Sequence, residues 1–141
     1  MLKIKSNYCW GDCCGATKKI TNEKLKTELY IFKFDCGEYG SGNDEFYFVN
    51  GNLVLVRNFS INIKEYPTDT TATLFNVSEK ITYLKERQAK VKERTVNINN
   101  EKVNTINEIN FIESSLNYET AIKAKKDEFS QLLELENSKD E

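Results

Sequence analysis

The residues of this chain best suited to chemistry are its four cysteines, Cys9, Cys13, Cys14 and Cys36. Four thiolates can hold Zn²⁺ tetrahedrally, and the three-residue gap between Cys9 and Cys13 is a tolerable ligand spacing. The adjacent pair Cys13-Cys14 fits that arrangement poorly, and the two-residue knuckle spacing is missing. Disulfides are the second option, with Cys36 pairing to one of the N-terminal cluster if the chain is exported. The reading adopted is the plainest, reduced thiols partly buried as small apolar residues. No metal ligand or cofactor is therefore assigned.

A second cluster is cationic. Lys80, Lys85, Arg87, Lys90, Lys92 and Arg94 stand against only Glu86 and Glu93, with Tyr83 as one aromatic neighbour. Such a strip can form a partner surface or contact phosphates. It can equally be the charge that guards an exposed strand edge, and that protective reading is preferred. The glycines Gly37, Gly40 and Gly42 lack the Lys-Ser/Thr of a phosphate loop and read as a loop between strands. Tyr8 and Trp10 are candidate anchors for a partner.

Histidine is absent, which removes the commonest general base and every Ser-His or Cys-His pairing. No catalytic residue is assigned and the chain is expected not to be an enzyme. A formal net charge of −2 gives no global attraction to nucleic acid or an acidic membrane. No apolar run is long enough to span a bilayer as a helix. The first residues, Met1-Leu2-Lys3-Ile4-Lys5, do not read as a signal peptide. The expected location is cytoplasmic, or the periplasm or cell envelope if a leader has been removed.

The elements that would position these residues are mainly strands. The 141 residues, 39% hydrophobic and 30% charged, suit a single domain: a Cys-containing segment over 1–24, a hairpin sheet over 25–97, and a linker with a helix over 98–141. Asn50-Gly51 between apolar runs is a hairpin turn. A two-residue turn there pairs Phe48 with Leu53, Phe46 with Leu55 and Asp44 with Arg57. Phe59, Ile61 and Ile63 then continue the Leu53/Leu55 face. Residues 25–36 form the preceding strand, and Pro67 with the Thr-rich stretch 68–73 makes a break. Tyr118, Ile122, Phe129 and Leu132/Leu133 recur at helical spacing, with Ser115 or Asn117 as cap. Glu119 and Lys123 are placed for an i,i+4 pair. Residues 78–97 fit either a helix or a hairpin, and local propensity slightly favours the helix.

The run Asp44-Glu45-Phe46-Tyr47-Phe48-Val49-Asn50-Gly51-Asn52-Leu53-Val54-Leu55-Val56 resembles small uncharacterised β-meander proteins of Bacteroidota-type bacteria. Glu79-Lys80-Ile81-Thr82-Tyr83-Leu84 is similar to their second strand pair, and 118–136 to their charged terminal helix. The resemblance implies a second hairpin at 78–97 and a cell-envelope setting, and it brings no catalytic residues. The expected fold is α+β, an antiparallel meander of about five strands with a C-terminal helix on the sheet. The expected function is a non-enzymatic binding or accessory module with an unidentified protein partner. An immunity-type inhibitor of a protein toxin and a nucleic-acid binder using the 80–94 strip are the alternatives.

Overall fold

The structure is a computed structural model that describes residues 1–99 and 103–138. Among the described residues, eight strands follow one another in space as they do in sequence, each antiparallel to its neighbours. They are β1 (Leu2–Trp10), β2 (Cys13–Asn22), β3 (Thr27–Asp35), β4 (Gly40–Val49), β5 (Asn52–Glu65), β6 (Leu74–Lys85), β7 (Gln88–Ile98) and β8 (Ile112–Leu116). One helix, α1 (Tyr118–Ser138), closes the described chain. The α+β class and the C-terminal helix agree with expectation, and the strand count of about five does not. The 1–24 segment forms β1 and β2, and the linker contributes β8.

Three of the hairpins turn on two residues. Asn50 and Gly51 have φ of 51° and 78°, and Glu86 and Arg87 have 53° and 59°. Both dipeptides thus carry the paired positive φ of a type I′ turn, whose twist matches that of the strands. The 78–97 ambiguity resolves to strands because that stretch is paired on both sides, to β5 and to β8. The sheet overrides a local preference for helix. Gly11-Asp12 makes the third tight turn, with Gly11 at φ 56°.

The β4–β5 register departs from a plain two-residue hairpin. Phe48 meets Leu53 as expected, but a bulge at Val54 shifts everything beyond it. Phe46 meets Val56 rather than Leu55, and Asp44 meets Asn58 while Arg57 meets Glu45. One inserted residue sends each later side chain to the other face. Leu53 and Val56 therefore lie on one face, and Leu55, Phe59 and Ile61 on the opposite one.

Helix α1 packs on the first of these faces. Asn117 caps it, its side-chain oxygen accepting from the Thr120 amide at 3.0 Å. Phe129 sits among four rings of β3 and β4, Tyr30, Phe32, Phe46 and Phe48, at centroid distances from 4.8 to 6.0 Å. Leu84, Ala89 and Ala121 complete this core. The Glu119–Lys123 pair does not form: Glu119 takes Arg87 and Lys123 takes Asp127. On the second face a smaller core joins Val77 and Ile98 to Ile106, which belongs to a 3-10 segment, Val103–Glu108.

Candidate interaction face

All four cysteines are consumed in disulfides, Cys9–Cys14 and Cys13–Cys36. This corrects both the reduced-thiol reading and the zinc set Cys9, Cys13, Cys14 and Cys36, since a disulfide sulfur is no thiolate ligand. Of the disulfide option, the pairing of Cys36 into the cluster holds. The geometry explains the adjacent cysteines. Cys9 opposes Cys14 across the β1–β2 hairpin, and Cys13 stands one residue beyond the Cys14–Asp35 pair, opposite Cys36. Side chains alternate along a strand, so Cys14 points to the second face and staples β1, while Cys13 points to the first and staples β3. The signal was present in the sequence: Cys9-Trp10-Gly11-Asp12-Cys13-Cys14 places Cys9 and Cys14 symmetrically about a Gly-Asp turn.

The basic strip does not form one surface. Lys80 faces Asn58 and Glu93 on the first face. Lys85 and Arg87 lie at the β6–β7 turn, and Arg87 pairs with Glu119 at 2.9 Å. Lys90, Lys92 and Arg94 share the second face, where Lys92 pairs with Glu113 at 3.1 Å. Arg94 bonds Glu79, a carboxylate that also takes Arg57 Nε at 2.6 Å, and stacks on the Phe111 ring. Burial pushes the Glu79 carboxyl up, but hydrogen bonds from Arg94 and Arg57 and their charges prevail, holding it below its ordinary range.

What the second face does assemble is an apolar band. The lower end of that face is covered by Ile106, and the helix lies on the opposite face. No described element covers the rest. One register row runs Leu2, Ile20, Leu29, Tyr47, Leu55 and Tyr83, one residue from each of β1 to β6. The next row adds Ile4, Ile31 and Ile81, interrupted by the Glu45–Arg57 pair at 3.2 Å. Leu2, Ile4 and Ile20 are 54%, 63% and 40% exposed, while the central members are half-buried against one another. At the far end a hollow of about 560 Å³ opens between Tyr83, Lys90, Lys92, Glu113 and Ser115.

The charge left unpaired beside the band is mainly positive. Glu45 and Arg57 neutralise each other, as do Lys92 and Glu113. Lys18, Lys33 and Lys90 carry no ion partner among the described residues. The sequence concealed this band because its members are spread over six strands, and because the Val54 bulge was needed to put Leu55 with them. No group of metal-ligating side chains gathers among the described residues, and no described helix is long and apolar enough to cross a membrane. No protein-family model, curated protein or solved structure matches the chain.

Proposed function

We propose that the chain is a non-enzymatic binding module that docks another protein on the second face of its sheet. The observation that supports this reading is the six-strand apolar row from Leu2 to Tyr83, which nothing described covers. A contiguous apolar surface framed by polar residues is what protein-binding faces present. The unpaired charges nearest to it include the lysines at 18, 33, 85 and 90, so the complementary partner offers aliphatic or aromatic side chains flanked by carboxylates. A second copy of this chain would bring lysine to lysine. The acidic side chains best placed to act as acids or bases, Glu79 and Asp44, are engaged in structural hydrogen bonds. The two disulfides favour work in an oxidising compartment, such as a periplasm or cell envelope.

Selection of phage-displayed peptides on the disulfide-intact protein tests this. The expected result is enrichment of peptides that combine aliphatic or aromatic residues with Asp or Glu, and that no longer bind the Leu55→Glu and Tyr83→Glu variants. Binding that survives both substitutions overturns the proposal, provided that the variants keep the wild-type circular dichroism spectrum. Sedimentation showing a dimer that Leu55→Glu abolishes would assign the band to a second copy instead.

A further inference from the structure

The first face is covered by helix α1 only in part, and what lies beyond the helix is unlike the rest of the sheet. The border is Asn58. Its amide nitrogen donates to Asp44 at 2.7 Å and Glu128 at 2.8 Å, and its oxygen accepts from Lys125 at 3.0 Å. The next register row reads Gly42, Ser60, Ser78 and Thr95 across β4 to β7. The second row beyond reads Gly40, Asn62, Asn76 and Asn97. No side chain in this block is larger than asparagine, and none is charged.

The block is internally tied. Asn76 donates to both Thr95 and Asn97 at 3.0 Å, and Ser78 donates to the Asn76 oxygen at 3.0 Å. These bonds fix a low polar floor while lone pairs remain free. The side chains of Ser60, Asn62, Lys80 and Glu93 have no partner among the described residues. The Ser60, Ser78 and Thr95 row opens into a cleft of about 570 Å³, lined also by Lys80 with Glu93 and Arg94 with Glu79, with Ile109, Asn110 and Ile112 as its wall on the β8 side. On the β3 side the half-buried Phe34 ring lies over Gly42, so closely that a Cβ there would fall 2.3 Å from it. Further along, Trp10 stacks on Tyr8 with centroids 5.8 Å apart. Phe34 and Trp10 follow the first-face alternation of Phe32 and Tyr8.

Hydroxyls and amides on a flat floor, cations and anions in balance (Lys80 with Glu93, Arg94 with Glu79), an aliphatic wall and aromatic surfaces at the other end match one ligand chemistry. We propose that this groove binds a neutral saccharide chain. Amide and hydroxyl groups of the floor and the bordering Lys80 and Glu93 take its hydroxyls, while the Phe34 ring and the Ile109/Ile112 wall take its C–H faces. Lys80 and Glu93 offset one another, so a polyanion gains nothing here. The cleft itself lies over β5 to β7, and together with Gly42 and the Phe34 ring the polar surface reaches β3, four strand spacings or about 19 Å in all, which suits an oligosaccharide better than a single sugar.

Affinity electrophoresis of the disulfide-intact protein tests the assignment, with gels containing laminarin, xylan, mannan or chondroitin sulfate. Retardation by at least one of the three neutral polysaccharides is expected, and none by chondroitin sulfate. Lys80→Ala and Asn62→Ala, both at accessible positions, should each weaken that retardation, together by about tenfold in Kd as two hydrogen bonds are lost. Ser60→Trp should abolish it by filling the floor. The second-face variant Leu55→Glu should leave it unchanged, so that this test and the protein-docking test fail separately. Absence of retardation in all three neutral gels, retardation in chondroitin sulfate alone, or retardation that survives Lys80→Ala/Asn62→Ala in a protein of unchanged thermal stability would overturn the proposal.

Discussion

At Cys13 and Cys14 two neighbouring side chains serve two different strands, and the consequence for stability can be ranked. Cys13–Cys36 closes a separation of 23 residues and Cys9–Cys14 one of 5. Chain-entropy estimates for such loops give about 3 and about 2 kcal/mol. The double Ser variant of the first pair should therefore lower the unfolding midpoint more than that of the second, and thiol-free peptide mapping should recover both linkages. Two carboxylates pull in opposite directions with pH. Burial and the neighbouring Glu128 push Asp44 above its ordinary 3.8, against the hydrogen bond from Asn58 and the charge of Lys125. Its native form thus holds a proton more tightly than the unfolded chain, and its contribution to stability falls as pH rises through that raised value. Asp44→Asn should raise the midpoint at pH 7, and the gain should vanish below about pH 3.8. Glu79 has the reverse sign: its lowered value stabilises the fold above its ordinary 4.5 and is lost as pH falls through the lowered one. Glu79→Gln should cost about 2 kcal/mol at pH 7, since it leaves Arg57 and Arg94 facing a neutral amide. Urea unfolding of both variants across pH 3–7 checks these signs.

The elements differ in how openly the sequence declared them. Asn50-Gly51 and the 118–136 periodicity each carry their own local signal, and both elements stand where they were expected. The β6–β7 hairpin hides because Glu86-Arg87 is a poor turn dipeptide held at positive φ. Asn-Gly in its place should stabilise the protein by about 1 kcal/mol, seen as a higher thermal midpoint, because the Arg87–Glu119 pair it removes is largely exposed. The Val54 bulge left no signal in the alternation of apolar residues, since both faces of β5 are apolar near the turn. It nevertheless decides which side chains meet the helix. Phe129 packs on Phe46 and Phe48, in the core that also holds Leu53 and Val56, and Leu55, Phe59 and Ile61 face away from it. Phe129→Ala should still cost about 3–5 kcal/mol, and a thermal midpoint within a few degrees of wild type would mean that the helix is not held by this core.

At the scale of the whole molecule, the candidate surfaces were the least legible part. Residues that neighbour one another across the sheet, such as Leu2, Ile20 and Leu29 or Ser60, Ser78 and Thr95, are 9 to 18 positions apart in the chain. Only the full register brings them together. The meander also has a consequence for the integrity of the chain. Residues 66–72 are exposed and join β5 to β6, two interior strands of the sheet. Both cores draw on either side of that connection: Phe46 and Val56 before it pack with Leu84 and Ala121 after it, and Ile61 packs with Val77. A cut at Thr70 leaves two pieces, one with the five disulfide-stapled strands β1 to β5 and the other with β6 to β8 and the helix, each exposing the surface the other was built to cover. Expressed together as 1–70 and 71–141, they should find one another and behave as a two-part reporter, whose signal returns only when both halves are in the same compartment.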